Sequence, residues 1–304
     1  MREWEQLWIN GGKHFFVVRF TIFRLFELNP STFMYQKIAL AIAFSPRIEA
    51  LIAEVKRLVL LFDSELILIH VGVKTPELEK KLTELIKKNQ CDPAKSKVLW
   101  KEGKPVKMIL QACREEKVDL LVAGALKQEG LFKYYMGSVG RKIIRKSPCS
   151  VLTLIEPRVK TSEFSRVVIN GTQLEITPQV IKHGLEFSKV VKADQVSILN
   201  EIKMYGLQMG TASEDSEEEI AHTRRQLVQN EIDYVEQILK DLDKGKLKIN
   251  IKVTGGKWAV ELARFCEKTD ANLLVVGDER KLNFFDRISR MTWKSCSAPF
   301  LAIF

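Results

Sequence analysis

No stretch of this chain is apolar for long enough to cross a bilayer. A helical span needs about 20 consecutive apolar residues, and the most hydrophobic segment, residues 14–28 (HFFVVRFTIFRLFEL), is interrupted by Arg19 and Arg24. No small-residue cleavage site follows that segment, so a secretory leader is not expected. Paired cysteines are also missing. The five present, Cys91, Cys113, Cys149, Cys266 and Cys296, form no C-x-x-C pair, and the four histidines lie in no ligand spacing beside them. A disulfide framework and a zinc site are therefore excluded, and free thiols in a reducing, cytoplasmic compartment are expected. Glycine and proline are scarce, 16 and 9 of 304 residues, which removes collagen-like and linker-like chains. The two GGK triplets, at residues 11–13 and 255–257, lack the spacing of a phosphate-binding P-loop.

What remains is an ordinary globular composition, 46% hydrophobic and 28% charged, long enough for two domains. The net charge of +10 is unevenly placed. Residues 34–157 hold 22 basic against 14 acidic side chains, while residues 158–304 hold 22 against 21. A basic protein invites a nucleic-acid reading. Here the excess is confined to one half and has no interleaved aromatics, so a bound phosphate or a solvated surface is the better expectation, and nucleic acid is not.

From Met34 onward, short apolar runs alternate with helical periods. Residues 37–43 (KIALAIA) and 66–71 (LILIHV) are unbroken apolar runs of strand length, the mark of strands buried on both faces. Between them Ile48, Leu51, Ile52, Val55, Leu58, Val59 and Phe62 repeat with the period of one helix face, after Pro46. Further helices are predicted over 76–89 and 104–116, strands over 97–100 and 119–123, then a basic helix after Gly137 and a strand over 150–155. The second half repeats the order: strands over 166–170, 195–199, 247–253, 272–276 and 299–303, with helices over 178–191, up to about 243, and over 257–268. Alternation of this kind implies right-handed crossovers and a parallel sheet covered on both sides.

The repetition has a register. Gly103-Lys104 stands 21 residues before Gly124, and Gly256-Lys257 stands 21 before Gly277. Within those windows Cys113 matches Cys266, and Leu120-Leu121-Val122 matches Leu273-Leu274-Val275. The chain therefore divides into an extension (residues 1–33), a first domain (34–156), a linker containing Pro157 (157–165) and a second domain (166–304). Each domain is expected as a five-stranded, doubly wound parallel sheet of Rossmann-like form, the two packed as an internal pseudo-dimer, with a homodimer left open. The extension is read as lying outside the fold, as a mis-assigned start, or as a membrane-surface or partner helix.

Residues 124–148 (GALKQEGLFKYYMGSVGRKIIRKSP) are the segment with chemistry in it. They follow a buried strand and run into a helix starting near Gly137-Ser138. In an open parallel sheet, ligands bind beyond the carboxyl ends of the strands where strand order reverses. A glycine there lets backbone approach a phosphate, and the free amides of the next helix favour the anion. Lys127, Lys133, Arg141 and Lys142 add positive charge. Turn geometry and a helix start, with no ligand, account for the same glycines. Cys113 and Cys266 lie on apolar helix faces, and His70 ends a buried strand, so packing is expected of all three.

This segment resembles the universal stress proteins, whose domain ends in G-x2-G-x9-G-[S/T]. Gly124, Gly137 and Ser138 fit that pattern, and K-I-A-L-A-I-A-F-S, L-I-L-I-H-V and S-P-C-S-V-L are family-like. The resemblance implies an adenine nucleotide alpha hydrolase-like fold that binds ATP or AMP, with phosphates at Gly124, Gly137, Ser138 and Val139 and the base or ribose near Val71 and Ala43. Lys127 replaces the family's second glycine, either adding a phosphate ligand or filling the pocket. Ala43 replaces an aspartate. In the second half Gly277 remains, but Arg280, Arg290 and Met291 stand at the other positions, so that copy is not expected to bind ATP. The reading is of a non-catalytic stress-response protein holding an adenine nucleotide in its first domain. A nucleotide-free scaffold is the alternative, and no base, nucleophile or metal pair supports an enzyme.

Overall fold

A computed structural model describes residues 34–124, 138–155, 157–160, 163–202, 217–256 and 258–277, and the short strands Phe16–Arg19, Leu126–Lys127 and Tyr134–Tyr135. The first half runs β2 (Lys37–Ile42), α1 (Ile48–Phe62), β3 (Glu65–Val71), α2 (Pro76–Lys88), β4 (Ser96–Lys101), α3 (Pro105–Glu115), β5 (Leu120–Gly124), β6 (Leu126–Lys127), β7 (Tyr134–Tyr135), α4 (Ser138–Lys146) and β8 (Ser150–Leu154). The second half runs β9 (Arg166–Asn170), α5 (Thr177–Val190), β10 (Gln195–Glu201), α6 (Glu217–Lys240), β11 (Lys248–Thr254), α7 (Trp258–Lys268) and β12 (Leu273–Val276). Strand β1 (Phe16–Arg19) precedes them both. Among the described residues no helix is long and apolar enough to cross a membrane.

Local chemistry explains these elements. In β5, Leu120, Leu121 and Val122 are fully buried between helices on both faces, each contributing about 1.5–3 kcal/mol of apolar burial. The face of α1 that the periodicity marks is the buried one, with Ile52 and Val55 at 0% exposure. The helix begins at Ile48 and not at Pro46, because Ile48 N–H donates to Ser45 O and closes a turn first. It ends at Asp63, whose φ of 50° is left-handed and whose N–H returns to Val59 O. Thr75 caps α2 by accepting from Leu78 N–H, with Pro76 at the first helical position.

The same devices occur in both halves. Asp119 accepts from Gln36 and Lys37 N–H at the start of β2, both at 2.9 Å, and Asn272 accepts from Arg166 N–H at the start of β9 at 3.0 Å. Val118 N–H donates to Cys113 O, and Ala271 N–H donates to Cys266 O. Gly103 and Gly256 adopt φ of 129° and 132°, a conformation that favours glycine in both windows. Cys113 and Cys266 are buried as the helix faces predicted.

The first half is a set of five parallel strands, ordered β4-β3-β2-β5-β8, and the second a set of four, β11-β10-β9-β12. Both are doubly wound α/β arrangements of the expected class. The fifth strand expected in the second half, residues 299–303, lies outside the described residues. Two departures from expectation follow from one element. Strand β1 runs parallel to β12 and antiparallel to β8, so one ten-stranded sheet replaces two separate packed sheets. The amino-terminal segment, expected outside the fold, thus supplies a central strand. The physical reason is that β8 and β12 would otherwise present unpaired backbone edges in mid-sheet.

The joint between the halves is aromatic. Tyr35 packs edge-on against Phe62 with centroids 5.1 Å apart, Phe62 meets Phe187 of α5 at 5.4 Å, and Phe164 meets Phe187 at 5.6 Å. The Arg57 guanidinium lies 4.4 Å over the Phe164 ring. Beside it Glu54 is 1% exposed, with Oε2 3.6 Å from Arg57 Nε. Burial pushes the Glu54 carboxyl up to about 7, against the opposing pull of Arg57 and of Arg158.

Candidate functional site at the carboxyl ends of the first-half strands

In the first half, β2 pairs with β3 on one side and with β5 on the other, so strand order reverses between β2 and β5. Four of the seven sequence-predicted positions are brought to that end of the sheet. Ala43 directly follows β2 and is exposed, Val71 ends β3 half-buried, Gly124 ends β5 exposed, and Ser138 opens α4 exposed. Val139, on the first turn of α4, is 41% exposed. Lys127 lies in β6, opposite Tyr134 of β7. Gly137 and the side chain of Lys127 lie outside the described residues. A β-carbon on Gly124 would come within 3.0 Å of Leu51 Cδ1, so backbone and the α1 side chain already fill the floor there.

Charge at this end comes from α4. Arg141 is half-buried in its first turn, and its Nε is buried with no hydrogen-bond partner among the described residues. A buried guanidinium nitrogen left without an acceptor is costly unless an anion or water meets it. The free amides of the α4 N-terminus favour the same charge sign.

Sequence reasoning missed the aromatic wall beside this crevice. Phe44, His70 and Trp100 pack together, with centroids 4.8 Å apart for Phe44–His70, 5.0 Å for His70–Trp100 and 6.2 Å for the stacked Phe44–Trp100 pair. His70 and Trp100 are register partners across β3 and β4, a pairing that the sheet and not the local sequence supplies. His70 is buried, and its Nδ1–H donates to Ile42 O at 3.2 Å. A β-carbon on Gly72 would lie 2.8 Å from His70 Nε2, so the other ring nitrogen is covered by backbone. His70 is therefore a structural wall, as expected from its place at a strand end.

At the corresponding end of the second half the described residues pack more closely. A β-carbon on Gly277 would lie 2.2 Å from Val180 Cγ2, far closer than the first-half contact. Glu231 of α6 reaches Asn200 of β10 and Gln173. Its carboxylate accepts from Gln173 Nε2 at 3.0 Å and from Asn200 Nδ2 at 3.1 Å. Asn170 accepts from Thr172 N–H at 3.0 Å and Thr172 Oγ1–H at 2.7 Å, and Thr177 Oγ1–H donates to Thr172 O. Asn170, Asn200 and Glu231 are all buried. Among the described residues no group of His, Cys, Asp and Glu is arranged to hold a metal ion in either half.

Residues 72–154 match the universal stress protein family. A universal stress protein of Methanocaldococcus jannaschii is 33% identical over 57 residues, covering 19% of this chain and 34% of that one. The chain thus spans only 34% and 37% of the lengths of the curated relatives it matches. Among solved structures, a functionally unknown protein from Pseudomonas aeruginosa superposes with a TM-score of 0.66 at 12% identity, covering 90% of this chain and 94% of that one. A universal stress protein from Archaeoglobus fulgidus superposes with a TM-score of 0.52 at 16% identity, covering 79% and 86%. At these identities the likeness is one of fold.

Proposed function

We propose, from the match of residues 72–154 to the universal stress protein family, that the chain is a stress-response binding protein that holds an adenine nucleotide, ATP or AMP, in its first half alone. The observation that carries the reading is the contrast between the two switch points. In the first, Ala43, Val71, Gly124 and Ser138 surround a crevice with exposed backbone and the unpartnered Arg141 Nε beside it. In the second, Val180 packs against Gly277 and the Glu231 carboxylate is held at the strand ends by Gln173 and Asn200. The nucleotide's phosphates would meet Gly124, Gly137, Ser138 and Val139, with Lys127 as a further cation. Its base would lie toward Val71 and Ala43, beside the wall of Phe44, His70 and Trp100. The residues present fit such a group, since an anion supplies the acceptor that Arg141 Nε lacks among the described residues and flat rings suit a purine face. Binding without turnover, in the cytoplasm, completes the proposal.

A second reading has two specific supports. Ala43 offers no carboxylate to the ribose, and the aromatic wall closes on itself through the Phe44–Trp100 stack, which suits a nucleotide-free interaction protein. Mass spectrometry of the purified protein separates the two. Adenine nucleotide released on denaturation, and absent from an Arg141→Met preparation, supports the proposal. Nucleotide-free protein that also gains none at millimolar ATP or AMP supports the scaffold.

A further inference from the structure

The central strand β1 occupies a place for which the chain carries a second claimant. In the first half, β8 follows α4 and lies parallel to β5, on the edge of β5 opposite β2. In the second half, β12 pairs with β9 on one edge, and its opposite edge is taken by β1, also parallel. The place that β8 fills beside β5 is thus filled beside β12 by residues from the far end of the sequence. The chain nevertheless contains a second copy of the β8 segment. Residues 146–155 read KSPCSVLTLI and residues 294–303 read KSCSAPFLAI. Both begin Lys-Ser, carry Cys-Ser within the next three residues (after Pro148 in the first copy), and reach an isoleucine at the tenth residue.

Only one strand fits between β8 and β12. The slot is bounded by Leu152 and Leu154 on one side and Leu274 and Val275 on the other, all fully buried. Left empty, it would strand two rows of buried backbone amides and carbonyls. Phe16–Arg19 (FVVR) satisfies both rows, antiparallel to β8 with Val17 opposite Thr153, and parallel to β12 with Val18 opposite Val275. Residues 299–303 are of the same length class and equally apolar, and they follow β12 in the chain as β8 follows β5.

We propose that the slot between β8 and β12 is a strand-exchange site, occupied either by Phe16–Arg19 or by residues 299–303 of the same chain. The two ends of the chain are then coupled. When residues 299–303 enter, the aromatic segment around Phe16 leaves the sheet and becomes available to other contacts; when β1 enters, the carboxyl-terminal strand is displaced. This goes beyond nucleotide binding and does not depend on it.

The test uses the full chain and amide hydrogen exchange read by mass spectrometry. Val17→Pro removes a ladder donor and cannot sit in a central strand. The expected result is that peptides spanning 299–303 exchange at least ~10-fold more slowly than in the unaltered protein, while β8 and β12 stay protected. Loss of protection in β8 and β12 with no gain at 299–303 overturns the proposal by making β1 the sole occupant. Unchanged protection in all three overturns it by showing that β1 was never an occupant. Should Val17→Pro fail to fold, a second measurement decides. In Val17→Cys with Thr153→Cys, a disulfide found by peptide mapping reports the β1-docked state. Adding Leu301→Pro should raise the linked fraction. A linked fraction that Leu301→Pro leaves unchanged, including one of zero, contradicts exchange.

Discussion

Replacing Glu54 with glutamine should flatten a pH dependence built into the joint between the two halves. Glu54 is 1% exposed on α1, packed where Arg57 covers Phe164 and where Phe62 meets Phe187 of the second half. Burial raises its carboxyl from 4.5 to about 7, and the attraction of Arg57 and Arg158 offsets only part of that cost. Burial also pulls the Arg57 guanidinium below its ordinary value, with Glu54 and Glu163 acting against it. A carboxyl raised in the folded state binds more protons folded than unfolded between the two values. Stability therefore falls as pH rises from about 4.5 to about 7, and is flat with respect to this group above that window. At about 1.4 kcal/mol per unit, the window amounts to about 3 kcal/mol. Glutamine is the isostere of the neutral acid, so Glu54→Gln should match the unaltered protein near pH 5 and exceed it by about 3 kcal/mol near pH 8. Urea unfolding of both proteins across that range, compared as a difference, cancels the titration of other groups such as Asp119, which burial also raises. A difference that does not change between pH 5 and pH 8 would refute the argument.

Further expectations concern the glycines at the strand ends. Gly277→Ala should cost about 1–3 kcal/mol through its clash with Val180, and more than Gly124→Ala, whose β-carbon meets only the end of Leu51; equal thermal shifts would contradict the packing described. Gly72→Ala pushes a methyl group into His70 Nε2, so it should displace the ring and alter the fluorescence of Trp100 beside it, and an unchanged emission spectrum would count against the aromatic wall.

Much of this fold can be read from the residues. Runs such as KIALAI and LLVAG have no polar side to turn to solvent, and their lengths suit strands, so burial on both faces follows. The spacing of Ile48, Ile52 and Val55 marks the face of α1 that the core takes. The strand-end site was legible in part, because Gly124 and Ser138 sit where a buried strand gives way to a helix. Other features depend on contacts between distant residues. Glu231 is one acid among many on a polar helix, and only the fold carries it to Gln173 and Asn200. Nothing local in F-V-V-R says that it pairs with β8 and β12, since an apolar tetrapeptide fits any open edge. Glu54 has the same difficulty: its position on the buried face of α1 and its i,i+3 partner Arg57 are periodic, but Arg158, Phe164 and Phe187 reach the joint around it from the linker and the second half.

The central claim is that a nucleotide is held at the first switch point and not at the second. Isothermal titration with ATP and with AMP tests it directly on three proteins: the unaltered chain, Gly137→Val, and Gln173→Ala beside Glu231 in the second half. Losing the backbone approach to phosphate should remove about 1.5–3 kcal/mol, or roughly ten- to a hundredfold in affinity. The account predicts one site per chain, weakened by that factor or beyond detection in Gly137→Val and unchanged in Gln173→Ala, with both variants folded by circular dichroism. Two sites per chain, or binding lost in Gln173→Ala and retained in Gly137→Val, would contradict it.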